Sequence, residues 1–321
     1  MPLPSRRRVL QGALGGFAVG ALGAVTYNRL QAVPVATLRA DFYDERLTDL
    51  LLAGIREFPD TVARVRGGRV VLKPNLVEWN ANRPINTHPV LVAAAIEAFR
   101  RLGAREVVVA EGPGHRRDTE LLLGQTGLGD LLTDLEAPFT DLNVDELERV
   151  TLVHNITGLQ QLPIARTVLE ADLLVSMPKL KTHHWAGATL SMKNLFGVVP
   201  GRAMGWPKNP LHFAGIPKSI LDLWSSVPTH FAIVDGIVGM EGDGPIMGSP
   251  VDVGALILGE DLSAVDSTAA RLMGLDPEKI PYLEAAALLG GRIHPGQVVE
   301  IGDGVDSQSF SVLPHWEHIR A

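Results

Sequence analysis

The sequence predicts an α/β fold: a mostly parallel sheet with helices on both faces and a cleft at the carboxyl ends of its strands. Three observations predict it. Short, continuously apolar runs alternate with amphipathic segments from about residue 40 to residue 301, the pattern of parallel strands buried on both faces and joined by crossover helices. The 33 Gly and 22 Pro of 321 residues lack a three-residue period, so they mark tight loops and exclude collagen. Polar residues gather directly after the apolar runs, where open parallel sheets bind ligands.

The elements follow in order. Residues 45–58 carry Leu47, Leu50, Leu51 and Ile55 at helical spacing. Residues 69–73 form a strand ended by Pro74-Asn75. Thr87 is expected to cap a helix running to Leu102, with Pro89 in its first turn and Gly103 as its stop. Residues 106–110 are a strand, Asp118 caps a short helix, 128–135 is a helix and 149–153 a strand. A helical turn at 164–171 leads into strand 172–176. Helix 218–224, strands 231–234 and 253–258, helices 263–273 and 281–289, and strand 298–301 complete the pattern. The reading divides the chain into a leader and linker, 1–36, and one α/β domain, 37–321, with 37–165 and 166–321 as candidate lobes.

Composition narrows the function. Hydrophobic residues at 46% and charged residues at 20% exclude disorder, and a net charge of −7 argues against a nucleic-acid partner. The absence of cysteine removes disulfides, thiolate nucleophiles and cysteine-ligated iron–sulphur clusters. Ser5-Arg6-Arg7-Arg8 precedes an uncharged, glycine-containing stretch to Asn28, the layout of a twin-arginine export signal. The expected partner is the twin-arginine machinery, and the expected location is the periplasm or the outer face of the cytoplasmic membrane. Membrane contact is expected only through this segment, if it stays uncleaved.

The strand ends supply the candidate site: Lys73 and Asn75; Glu111 through Arg117, with His115 and Arg116; Lys179, Lys181, His183 and His184; Asp235, Glu241 and Asp243; Glu260 and Asp261. All five ends are expected on one edge of the sheet. Residues 173–221 contain Lys179, Lys181, Lys193, Arg202, Lys208 and Lys218 and no Asp or Glu. Apolar neighbours such as Trp185, Met192 and Phe196 place these cations partly in the interior, where they would attract a small anionic ligand. A solvated basic face is the alternative. Adjacent His183 and His184 should point to opposite sides, one working and one packing. Burial would make Lys193 nucleophilic. No Walker A, G-x-G-x-x-G, H-E-x-x-H or G-x-S-x-G motif is present.

Lys73-Pro-Asn-Leu76, Thr87-His-Pro89, Met177-Pro-Lys-Leu-Lys-Thr-His183, Met192-Lys-Asn-Leu-Phe-Gly197, residues 235–245 and Ala264-Val-Asp-Ser267 occur in order. Together they resemble the domain-of-unknown-function family 362. More distantly, residues 114–120 and His183-His-Trp-Ala-Gly187 with Lys193 are similar to the nickel-pincer lactate racemase family. That resemblance implies His115 and His183 as acid/base histidines, Lys193 as the tether of a nickel cofactor and His212 as a nickel ligand. His88 stands where that family has arginine, the run before Lys193 is not its glycine-rich one, and the spacing to His212 differs.

The combined expectation is an exported enzyme that moves a proton or hydride at a carbon beside a carboxylate, an isomerase- or oxidoreductase-like reaction. His115, His183 and Lys193 carry the chemistry, and Lys73, Asn75, His88, Arg116, Lys179 and Lys181 hold the substrate. Two alternatives stand beside it. One is a non-catalytic periplasmic protein that binds an anion or metal. The other is a metal-dependent hydrolase built on Asp235, Glu241 and Asp243.

Overall fold

The computed structural model describes residues 32–114, 118–205, 208–229 and 231–321. The segment expected to be an export signal, His115 and Arg116 lie outside the described residues. The strands are β1 (Val33–Arg39), β2 (Arg69–Pro74), β3 (Glu106–Glu111), β4 (Phe139–Asp141), β5 (Leu147–Thr151), β6 (Gln161–Ala165), β7 (Leu173–Met177), β8 (Lys179–His183), β9 (Gly187–Thr189), β10 (Phe231–Glu241), β11 (Ser249–Gly259) and β12 (Val298–Gly302). Ten form one sheet in the order β12-β1-β11-β10-β7-β2-β3-β4, with β8 on β10 and β9 on β8. Pairing is parallel along β10-β7-β2-β3-β4 and between β1 and β12. Among the described residues no helix is long and apolar enough to cross a membrane.

Period-two alternation builds two cores from the same strands. Val71, Val108 and Leu174 face one core, against Ile220, Val265 and Leu283 of helices Ile216–Ser226, Leu262–Leu272 and Pro281–Leu288. Leu72, Val109 and Val175 face the other, against Leu51 and Ile55 of helix Leu47–Arg56 and Ala95 and Phe99 of helix Pro89–Arg101. Both faces are therefore covered, as the apolar strands require.

Several local expectations are corrected. β1 starts at Val33 and pairs with β11 and β12, so residues 33–36 belong to the sheet and not to the linker. The candidate lobes share that one sheet, with β1 lying between β12 and β11 of the other lobe. Residues 147–151 pair with β6 in a separate two-stranded sheet. His88, not Thr87, caps helix Pro89–Arg101; the Thr87 hydroxyl instead donates to the Met177 carbonyl and accepts from the Asn75 amide. β11 runs antiparallel to β10 and β1, so its end points to the opposite edge. There Glu260 accepts from Thr61 and Asp261 caps helix Leu262–Leu272. Four strand ends, not five, meet on one edge.

Asp235 lies inside β10, which runs on to Glu241, and it is fully buried. Its carboxylate accepts from Lys179 Nζ at 2.6 Å, the Tyr43 hydroxyl at 2.7 Å and the His88 backbone N–H at 2.8 Å. The His88 ring stacks on Tyr43 with centroids 3.7 Å apart. This network ties β8, β10 and the start of helix Pro89–Arg101 together. Removing one partner of a buried pair leaves an uncompensated charge. Lys179→Met is therefore expected to cost about 3–5 kcal/mol in chemical denaturation, whereas Asp243→Asn, at an exposed position, should stay within about 0.5 kcal/mol. A Lys179→Met loss no larger than that of Asp243→Asn would refute the structural role.

Candidate active site

The parallel pairing of β2 and β3 sets their last residues side by side. Lys73 and Glu111 meet there in a 2.7 Å ion pair, 1% and 2% exposed. Asn194 clamps the pair: its Oδ1 accepts from Lys73 Nζ at 3.1 Å and its Nδ2 donates to the Lys73 carbonyl at 3.0 Å. A Cβ on Gly197 would lie 2.1 Å from Glu111 Oε1 and 2.5 Å from Lys73 Nζ, so a side chain there would displace the ion pair. From the other side, buried Asp266 accepts from the Ser191 hydroxyl and from the backbone N–H groups of Ser191 and Met192. Burial pushes the Asp266 carboxyl up to about 7. The short helix Ser191–Asn194, which carries Lys193, is thus held between two polar anchors.

Alternation along β8 puts Lys181 and His183 on one side of the strand. They line a cavity of about 710 Å³ together with Lys73, Lys193, Lys208, Glu111, His184 and His212. Glu111 is the only carboxylate among its described lining residues, and it already pairs with Lys73. Lys181 Nζ donates to the Ile85 carbonyl at 2.6 Å, and Lys208 Nζ to the Gly112 and Phe196 carbonyls at 2.8 and 2.9 Å. Lys193 makes no hydrogen bond or ion pair among the described residues; its Nζ sits 4.0 Å from the centre of the Phe196 ring. Asn75 Oδ1 and Thr189 Oγ1 also line the cavity, buried and without a hydrogen-bond partner.

Burial, with Lys73 nearby, lowers the Lys193 amine to about 8. Burial lowers Lys208 to about 7 and holds Lys181 well below the ordinary lysine range, helped by Lys193 and Lys179. His183 is held well below the usual histidine range by burial and then by Lys193. Its Nδ1 accepts from the Trp185 and Ala186 backbone N–H groups at 3.0 and 3.2 Å. The neutral ring therefore carries its proton on Nε2 and acts as a hydrogen-bond donor. That arrangement changes the expected role: a proton acceptor would need the opposite tautomer.

The structure gathers Lys73, Asn75, Lys181, His183, Lys193 and His212 around the cavity. It places Lys179 and His88 in the Asp235 network instead. The expected metal set is not assembled. Asp235 is saturated, Glu241 Oε2 accepts from the Ser311 N–H at 2.7 Å, and Asp243 lies 3.6 Å from His184. Among the described residues no three His, Asp or Glu side chains converge to hold a metal ion. His183 and His184 both line the cavity, because β8 ends at His183 and the chain turns there. Lys208 and Asn194 were not singled out from sequence as site residues. The acid-free run was the available signal for Lys208, while Asn194 gave none beyond its place in Met192-Lys-Asn-Leu-Phe-Gly197.

The profile of the family described as Domain of unknown function (DUF362) matches residues 70–271, and the chain belongs to that family. The thylakoid-associated protein sll1697 of Synechocystis sp. is 29% identical over 269 residues, covering 80% of this chain and 79% of that protein. Two solved structures are similar at low identity. The lactate racemase apoprotein from Thermoanaerobacterium thermosaccharolyticum has 13% identity and a TM-score of 0.41, over 77% of this chain and 58% of that one. A protein from Thermotoga maritima has 14% identity and a TM-score of 0.38, over 78% and 60%. The chain spans about three fifths of the length of these two structures.

The lysine set makes stability depend on pH with a defined sign. Lys208 titrates near 7 in the folded protein and at the ordinary lysine value, about 10.4, when unfolded. Between these values the unfolded chain binds the extra proton, so this contribution to stability rises with pH from about 7 to about 10 and is lost as pH falls through 7. Lys208→Met should remove that rise. The unfolding free energy of the wild type, measured from pH 7 to 10, should therefore climb more steeply than that of the variant. Parallel curves would contradict the buried, uncompensated lysine.

Proposed function

We propose that this member of the DUF362 family is an isomerase- or oxidoreductase-type enzyme that binds a carboxylate in the cavity and moves a proton or hydride at the neighbouring carbon. One observation carries the reading: Lys181, Lys193 and Lys208 line a single cavity with no carboxylate partner among the described residues. Lysines buried this way favour an incoming anion. Lys181 and Lys208, held by backbone carbonyls, take up protons as the anion enters and then supply its positive partners. Lys193, unpartnered and near pH 8, has a neutral fraction at physiological pH that can take a proton from the substrate carbon or attack a carbonyl. The His183 Nε2–H is the donor for the oxygen on which charge develops, a role in which a neutral imidazole serves better than an imidazolium. His115, next in sequence to the cavity-lining Gly114, is proposed as the second acid/base group on sequence grounds, with Arg116 beside it as a substrate contact.

The lysine-tethered nickel cofactor implied by the racemase resemblance fits these residues at its tether. Lys193 offers a free amine, Asn75 and Thr189 offer unpartnered oxygens, and His212 lines the same cavity. Bound there, such a group would supply an electron-pair acceptor for the oxidoreductase form of the reaction. The intact mass of protein from its own host shows whether an adduct is present, and its loss in Lys193→Arg assigns it to Lys193.

The catalytic reading is tested by solvent-deuterium exchange. A panel of 2-hydroxy carboxylates in deuterated buffer should show, for at least one member, either solvent exchange at the α-carbon (proton transfer) or inversion or oxidation there without exchange (hydride transfer). Lys193→Met should slow that exchange by about 10²-fold or more, while His183→Ala lowers the rate far more than the affinity. Anions that raise the melting temperature with no exchange, inversion or oxidation anywhere in the panel would instead identify a binding protein.

The leader is proposed to export the folded protein by the twin-arginine route, on the Ser5-Arg6-Arg7 pattern and the weakly apolar stretch behind it. Replacing Arg6 and Arg7 with Lys should retain the protein in the cytoplasm on cell fractionation. Unchanged delivery to the envelope would refute the route.

A further inference from the structure

The size and layering of the cavity restrict what can fill it. Burial sorts its lining by depth. Lys73, Lys181, Lys208, Thr189 and Asn194 are at most 3% exposed, and His183 is 7% exposed. Val77, Pro217, Pro245 and Ile246 are half-buried around them, with the His184 and His212 rings. Leu76, Phe196 and Ile216 continue the apolar wall inward. Lys73, Lys181 and Lys208 lie deep, half-buried Lys193 lies nearer the mouth, and apolar surface lines the way between the deep lysines and solvent.

The apolar surface continues past the mouth. Trp185, itself a lining residue, is 62% exposed. Phe213 next to His212, Met247 next to Ile246 and Trp79 two residues beyond Val77 are 86%, 58% and 42% exposed. Trp185 thus carries exposed apolar surface at the opening itself, and the other three lie within two residues of lining positions along the chain; exposed apolar surface beside a cavity marks a binding surface. A three-carbon hydroxy acid would occupy a small part of about 710 Å³ and leave these walls wet. Cavities of about 300–1,000 Å³ hold ligands several times larger.

We infer that the ligand is an amphiphilic anion, a carboxylate head on an extended apolar body, with the head among Lys181, Lys193 and Lys208 and the body along Val77, Pro217 and Ile246 toward Trp185. The inference rests on the carboxylate-binding reading and adds the substrate class. Removing apolar surface from water on both partners supplies the affinity that a small acid cannot gain here.

The test is calorimetric or fluorescence binding of straight-chain 2-hydroxy acids, from 2-hydroxypropanoate to 2-hydroxydecanoate, below their micelle concentrations and to protein whose intact mass shows no adduct. Affinity should rise by up to about fourfold per added methylene where the chain is fully buried, until the chain reaches the mouth. Ile246→Ser and Val77→Ser should reduce the gain per methylene, whereas Lys181→Met should weaken every acid by a similar factor. Affinity independent of chain length, or strongest for 2-hydroxypropanoate, overturns the amphiphile and leaves the carboxylate reading standing. Equal binding of decyltrimethylammonium and 2-hydroxydecanoate overturns both, because the lysines would then contribute nothing to head-group choice. An unchanged gain per methylene in both wall variants also overturns the assignment of the wall.

Discussion

The ion pair between Lys73 and Glu111 is the contact on which the rest of the site depends. It forms because two parallel neighbours end at the same height, so that Lys73, next to last in β2, reaches Glu111, last in β3, with almost no access to water. A buried pair of this kind adds little net stability compared with apolar residues of the same shape. Its structural effect is larger. It orients Asn194, and it lies so close to the backbone at Gly197 that a side chain there would push the pair apart. Asp266 fixes the other end of the same segment through Ser191 and Met192. Lys193 therefore projects from a segment anchored by Asp266 at one end and by Lys73 at the other, and the position of its amine is set by the sheet and by helix Leu262–Leu272 together.

The same pair determines the charge of the cavity. Glu111 also accepts from the Gly112 and Leu76 N–H groups. Its capacity is committed to Lys73 and to the backbone, and it has little left for Lys181, Lys193 or Lys208. Those amines turn to carbonyl oxygens or, for Lys193, to an aromatic face. Carbonyl dipoles solvate an ammonium only in part, and desolvation remains the largest influence on all three.

How much of this the sequence disclosed follows from how local each signal is. Strands such as Val70–Leu72 and Val107–Val109, buried on both faces, read as continuous apolar runs. The acid-free segment 173–221 read as a positive site because charge composition needs no knowledge of contacts. Strand direction was less visible. Nothing in Ser249–Gly259 distinguishes a hairpin partner of β10 from a crossover strand, and the difference moved Glu260 and Asp261 to the far edge. Partner choice was hidden for the same reason. Asp235 reads as a metal ligand until Lys179 and Tyr43, distant in sequence, are found on its oxygens. β1 escaped detection because its partners, β11 and β12, come from the other end of the chain and its own sequence contains Pro34 next to a weakly apolar leader.

Three lysines can share one interior only if they do not all remain charged. With carbonyls as their main partners, proton release is the cheaper response to burial, which is why each titrates below its ordinary value. An entering carboxylate reverses the balance. It supplies the missing negative charge, raises the affinity of the amines for protons, and so takes protons up as it binds. Binding should then weaken as pH rises above neutrality, since the protons that must accompany the anion become scarce. The neutral His183, whose Nδ1 is occupied by backbone N–H groups, is insulated from this exchange and keeps its donor in place. Charge for binding and a fixed dipole for the reacting oxygen are thereby provided by different residues, which lets the lysines change protonation state without disturbing the donor.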